Sequence, residues 1–392
     1  MAIESANRRL LTVIFTLTLL LVISRPVLAE TVKRITMGAS YDSNAYGSYE
    51  ELTDYVSSLG LYLGYRAPGE RSEVETYYTG DGNLFVNTGT RAFATNSLGV
   101  VYARKIGENR SGFSVGASSS LRTNRADYSF YNYAGIQGAA NGKWYVHPTV
   151  LLRTGYRLRW RNYWNLDTFS YTEHYLSAQI DKYLSTPTTL RGDISFGYKN
   201  HRSPHYETVG FGDRFQRGMA PSQSILVEQG VPDEGQVILG VQIAQSLARK
   251  TGLSLRYQTR VNTTSGTDAL PEGESAYIND DEIFNDRYDY EGHEWTVRLT
   301  QLLPWRSRVG FEGGYETRRY DGRTARDLAG QPIASGALRS DRVTFASVSL
   351  EKPFAPGVSI NLCYGYERNR SNDLYYDYSG RHGLSVRFNV EF

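Results

Sequence analysis

The residues best placed to do chemistry are arginines. Arg153, Arg157 and Arg159 are separated by even numbers of residues, with Leu152, Tyr156 and Leu158 between and beside them. On an extended chain, where side chains alternate between two faces, the three guanidiniums share one face and the apolar residues share the other. Three cations in a row do electrostatic work: they attract anions and orient polar solutes. The same alternation puts Arg191, Arg256, Arg260, Arg298 and Arg387 on the polar faces of their segments, along with Asp193, Glu312, Glu316, Glu367 and Glu391. Two readings of this set stay open. The arginines and carboxylates pair and merely solvate a wall, or they set a transverse field that selects what passes.

Other patterns are weaker. Gly112-Phe113-Ser114-Val115-Gly116 matches the G-x-S-x-G of serine hydrolases. That motif works as a strained strand-to-helix elbow, and here an alternating segment follows a tight turn with no helical pattern after it. His201 and His205 have the spacing of metal ligands on a helix, but Pro204 lies between them and opposes a helix. Asp280, Asp281, Glu282, Asp286 and Asp289 form an acidic stretch, read as a solvated loop in preference to a cation site. Cys363 sits between Leu362 and Tyr364 with no base placed beside it, so it reads as a small wall residue. No catalytic set, metal site or cofactor site is expected.

These side chains require strands to hold them. Residues 382–392, HGLSVRFNVEF, alternate strictly: Leu384, Val386, Phe388, Val390 and Phe392 on one face, Ser385, Arg387, Asn389 and Glu391 on the other. Similar alternation recurs along the chain, as in Leu59, Leu61, Leu63 and Tyr65, in Val237, Leu239, Val241 and Ile243, and in Val358, Ile360, Leu362 and Tyr364. In 343–350 the alternation slips phase, which suggests a bulge. Seven short turns punctuate the pattern, at Pro68-Gly69, Gly107-Glu108-Asn109, His147-Pro148, Thr186-Pro187, Lys250-Thr251-Gly252, Pro304-Trp305 and Pro356-Gly357. Long polar stretches alternate with them, the longest over 200–234. Seven hairpins plus one strand at each end predict about sixteen strands, within a range of 14 to 18.

Composition and the N-terminus narrow the class. Arg8 and Arg9 precede an apolar run from Leu10 to Ile23, and Val27-Leu28-Ala29 supplies a small residue for cleavage. That is the pattern of a secretory signal peptide over 1–29. Its removal takes Lys+Arg from 43 to 40 and Asp+Glu from 41 to 40, leaving no net charge and no basic field for nucleic acid. A single Cys excludes an internal disulfide framework. The chain holds 31 Tyr, 15 Phe and 38 Gly. Such a composition suits a barrel whose strands face water on one side and whose aromatics gather at two membrane interfaces. The expected fold is all-β: a single transmembrane antiparallel up-and-down barrel over residues 30–392, with short turns on one side and long loops on the other.

The alternating C-terminal segment ending in Phe392 resembles that of bacterial outer-membrane β-barrel proteins, and the resemblance extends over the mature chain. It implies an outer-membrane location, lipid and lipopolysaccharide as surroundings, and recognition of Phe388 and Phe392 by the barrel-assembly machinery. Residues 33–66, with Gly38 and Tyr41-Asp42-Ser43-Asn44, resemble the first hairpin of porin-like barrels, some tied to exopolysaccharide secretion. A porin-like channel for hydrophilic solutes is thus the leading expectation. A barrel dedicated to polysaccharide export or to scaffolding an envelope complex is the alternative. A homo-oligomer is compatible with either. In a channel, Arg153, Arg157, Arg159, Arg191, Arg256, Arg260, Arg298, Arg387, Glu312, Glu316 and Glu367 would line the pore, and loop 200–234 would constrict it.

Overall fold

A computed structural model describes residues 30–108, 110–202, 209–210, 224–225, 233–264, 288, 290–333 and 336–392. The expected signal peptide, His205, the acidic stretch from Asp280 to Asp289 and most of loop 200–234 lie outside the described residues.

Sixteen strands close into one antiparallel barrel in which every strand pairs with its sequence neighbours. They are β1 (Glu30–Asp42), β2 (Asp54–Pro68), β3 (Ser72–Phe85), β4 (Phe93–Ile106), β5 (Ser111–Asn124), β6 (Tyr133–His147), β7 (Val150–Tyr163) and β8 (Tyr171–Tyr183). They continue as β9 (Thr188–His201), β10 (Glu234–Ala248), β11 (Thr251–Asn262), β12 (Tyr290–Leu302), β13 (Arg308–Thr324), β14 (Leu338–Ala355), β15 (Val358–Ser371) and β16 (Tyr378–Glu391). β16 returns to β1 with a register from Arg34↔Glu391 to Asp42↔Gly383. Lys33 and Phe392 exchange both backbone hydrogen bonds just beyond it, at 2.9 and 3.1 Å. Closure leaves no free sheet edge, the condition for a sheet that has no water to satisfy its edge.

The seven short turns fall where the sequence places them, all at the end where β1 begins and β16 finishes. Gly107 and Gly357 take positive φ in two of them, and Trp305 and Arg306 both do so in a third, at 57° and 60°. Paired positive φ matches the right-handed twist of the flanking strands. The longer connections lie at the opposite end, called here the loop end.

Apolar side chains point outward. Leu59, Val241, Ile243, Trp295, Phe311 and Leu384 are among the most exposed large hydrophobics, the reverse of a water-soluble core. The polar faces turn inward, where Asp181, Glu173, Gln236 and Asp341 are buried. Two expectations need correction. β14 pairs with β13 without interruption from Arg308↔Glu351 to Arg319↔Ser340, so 343–350 contains no bulge. The hydrophobic alternation slips because Val343 and Phe345 are apolar yet face inward, with the Phe345 ring lying over Gly314. The run Asp81–Arg91, one of the long polar stretches expected as loops, is strand as far as Phe85, since β3 keeps its ladder to β2 through Val56↔Phe85.

Candidate functional site: the inner wall

The inner wall is a lattice of ion pairs between neighbouring strands. Arg153, Arg157 and Arg159 all lie on the inward face of β7, because their register partners Lys143, Ala139 and Gln137 alternate with outward residues of β6. Their acids come from β8. Asp181, only 1% exposed, accepts from Arg153 and, at 2.7 Å, from Arg191 on β9. Gln179 adds a third donor at 2.9 Å. Glu173 lies 3.5 Å from Arg159 and 3.8 Å from Arg157, and the Arg157 guanidinium stacks over Tyr175 at 4.9 Å.

The other residues expected from the sequence, Arg387 apart, fall into the same lattice. Asp193 on β9 takes two hydrogen bonds from Arg256 on β11, at 2.9 and 3.0 Å. These strands are not neighbours. The pair meets above Gly240 of β10, where a Cβ would lie 2.7 Å from Arg256 Nη2. Arg260 stands 3.8 Å from Glu294, and Arg298 stands 2.6 Å from Glu312. Glu316 accepts from Arg318 at 2.7 Å and from the Tyr290 hydroxyl at 3.0 Å. Glu367 lies 3.8 Å from Arg381, which also grips Asp42 at 2.6 Å. Arg387 is exposed and has no ion pair among the described residues. Phe392 is 64% exposed, with the Lys33 ammonium 6.0 Å from its ring centre.

Charge is unevenly spread around this wall. Strands β4, β5, β6 and β7 contain no Asp or Glu. Their inward residues include Lys105, Arg122, Lys143, Arg153, Arg157 and Arg159. The cross-strand line Lys105↔Gly112↔Lys143↔Arg153 places three of these side by side. A cavity of 810 Å³ opens there, lined by Lys105, Lys143, Arg153, Arg256, Asp193 and Glu73 among others. Ser114 of the G-x-S-x-G pattern sits near the start of strand β5, inside the ladder with β4 and β6, and no nucleophile elbow forms.

Two clusters narrow the wall at the loop end. In the first, Phe130, Tyr131, Leu166 and Phe169 from the 125–132 and 164–170 connections pack on Tyr133, Tyr163 and Tyr171, which face inward from β6, β7 and β8. Arg161 stacks on Tyr133 at 4.1 Å and Lys199 on Tyr171 at 4.5 Å. In the second, Arg339 is sandwiched between the rings of Tyr320 and Tyr376, at 4.1 and 3.4 Å, and bonds Asp341 at 2.6 Å. Asp373 lies beside it, accepting from the backbone of Tyr375 at 3.1 Å and of Arg326 at 3.3 Å. Burial pushes its carboxyl above the ordinary range, against the pull of Arg339. Both clusters are built from segments that sequence patterning passes over as loops. The inward acids Asp181 and Glu173, by contrast, alternate with the outward Leu176 and Ile180 and are readable as polar-face residues.

The sequence matches no protein-family model and no curated protein. Solved structures do match along nearly the whole chain. OccAB1 of Acinetobacter baumannii aligns with a TM-score of 0.51 at 10% identity, over 93% of this chain and 96% of that one. A bacterial polysaccharide outer membrane secretin aligns at 0.50 and 11%, over 92% and 97%. OpdK of Pseudomonas aeruginosa, solved with vanillate, aligns at 0.50 and 9%, over 93% and 99%. At such identities the likeness is one of fold. The chain has a porin-like fold of the outer-membrane barrel class, closed by sixteen strands.

Proposed function

We propose that the protein is an outer-membrane channel for small hydrophilic solutes, with an inner wall that favours anions. The observation that carries this reading is the charge inversion of the barrel: an apolar belt outside, and inside a four-strand sector, β4 to β7, with cations and no carboxylates. An outward apolar face of this kind belongs against lipid. Turning Arg153, Arg157 and Arg159 outward instead would cost roughly 2–4 kcal/mol each near the midplane. Sixteen strands enclose an aqueous lumen. The acids that compensate the basic sector come from its flank on β8, and the far wall supplies Glu294, Glu312 and Glu316. The lumen is thereby crossed by a field. The aromatic clusters at the loop end supply a narrowing. Residues 1–29 act as the export signal, and the short turns face the periplasm.

Passage of an acidic polysaccharide is a second reading. It draws on inward Tyr rings: Tyr62 and Tyr77 stack at 6.1 Å with 14° between planes, and Tyr175 lies under Arg157. Flat apolar ring faces suit sugars, and guanidiniums suit uronate carboxylates.

The test is purification of the full chain, refolding into planar bilayers and measurement of single-channel conductance. Stepwise currents with an anion preference are expected, with the mature protein recovered in the outer-membrane fraction. Recovery as a soluble periplasmic protein, or an inserted barrel that passes no ions, would overturn the channel reading. Block of the current by uronic-acid oligomers and not by small carboxylates would move the assignment to the second reading.

A further inference from the structure

The outer surface carries one arrangement that the channel does not use. Arg342 of β14 and Arg370 of β15 are direct cross-strand partners. Both face outward: Arg342 continues the outward series of Thr344 and Val348, and Arg370 that of Tyr364 and Tyr366. Arg368 joins them two residues along β15 on the same face. Cross-strand partners have Cα atoms about 5 Å apart, and alternate residues on one strand about 7 Å. Three guanidiniums are therefore held within one small patch.

Among the described residues none of the three has an ion pair, and the buried Arg368 Nε has no hydrogen-bond partner. The outward faces of β14, β15 and β16 carry no carboxylate; their residues there include Thr344, Tyr364, Tyr366, His382 and Leu384. Like charges directly opposite on a sheet destabilise it. On the inner wall many arginines are matched to acids, among them Arg153, Arg256 and Arg381, and this outward trio is not. The patch also has a fixed height. It begins on the loop side of Tyr364 and Leu384, both exposed members of the apolar belt, and next to the Tyr364 hydroxyl bonded to His382 Nδ1 at 2.8 Å. That is the level of lipid headgroups, which long arginine side chains reach while their stems lie on apolar surface.

We propose that Arg342, Arg368 and Arg370 bind the phosphorylated headgroup of an outer-leaflet glycolipid, with the Thr344 hydroxyl beside them. The guanidinium fork matches phosphate oxygens in pairs, and a cluster of three serves a headgroup with more than one phosphate. The proposal rests on the outer-membrane reading, which puts the loop end in the outer leaflet.

The test uses the full chain refolded in mild detergent and native mass spectrometry with three probes: lipid A, dephosphorylated lipid A and phosphatidylglycerol. Wild type should hold lipid A roughly tenfold more tightly than either other lipid, as expected for a few charge-assisted contacts. The R342Q/R368Q/R370Q variant should lose that preference. R104Q, which removes an exposed outward arginine at the opposite end, should keep it. Equal binding of all three lipids by wild type, or an unchanged preference in the triple variant, would overturn the proposal. Heat-shifted gel mobility and conductance are read on every sample. A wild type that fails to insert contradicts the outer-membrane reading, whereas an inserted, conducting barrel without lipid A preference contradicts only the headgroup site.

Discussion

The Tyr288 hydroxyl donates to Glu173 Oε1 at 2.8 Å, joining two residues 115 positions apart in the sequence. Tyr288 precedes β12, and Glu173 lies on β8. To reach it, the ring passes over the inner face of the intervening strands and rests on Gly197 of β9. Tyr288 thus ties the loop end of one sector to the basic sector of the wall.

Removing only the hydroxyl, with Tyr288→Phe, should destabilise the folded barrel by about 1–3 kcal/mol, the range for losing a buried hydrogen bond to a charged acceptor. The midpoint of urea unfolding in detergent measures it. Gly197→Ala should act in the same direction, because its Cβ would meet the Tyr288 ring. An unchanged midpoint in both variants would show that the contact contributes nothing to stability.

Asp181 serves two arginines, Arg153 and Arg191. Asp181→Asn keeps the shape and removes the charge. It should destabilise by roughly 1–3 kcal/mol, less than a fully buried pair would cost because both guanidiniums keep partial access to water. It should also strengthen anion preference, since two inward cations lose their counter-charge. Reversal potential in a low-salt gradient reads the sign. A shift toward cations would contradict the placement of this acid in the conducting wall.

Much of this architecture was legible because a barrel strand states its two faces in alternate residues. Leu152, Tyr156 and Leu158 fix the outward side of β7, and the inward arginines follow from them. Seven turns were marked by Gly, Pro or Asn at the tight end. Period-2 reading failed where an inward residue is apolar, as at Val343, which is buried, and Phe345, whose ring lies over Gly314. It also failed for the Asp193–Arg256 pair. That contact spans two strands and depends on the absent side chain of Gly240, which no alternation reports. The constriction was sought in the longest loop. That loop lies mostly outside the described residues; among those described, shorter connections turn inward because Phe130, Leu166 and Phe169 gain burial against wall tyrosines.

Asp373 gives the barrel's loop end a pH dependence of known sign. Burial raises its carboxyl above the usual value, so the folded state holds the proton more tightly than the unfolded chain. The contribution to stability is fully present below the ordinary carboxylate range and is lost as pH rises through the raised value. Asp373→Asn should therefore stabilise the barrel at pH 7 and flatten the stability profile between the two values. Unfolding midpoints of wild type and variant at pH 4, 5.5 and 7 would show this; parallel profiles would contradict it.

The arginine row of β7 tests the central claim most directly. With Arg153, Arg157 and Arg159 all changed to Gln, Asp181 and Glu173 remain on the wall with less compensation. The reversal potential of single channels in a low-salt gradient should shift from anion toward cation preference. The shift should shrink at high salt, as the screening length falls from about 10 Å near 0.1 M to about 3 Å near 1 M. A channel that conducts with the same ion preference before and after the substitutions at low salt would contradict a selective role for the inner wall.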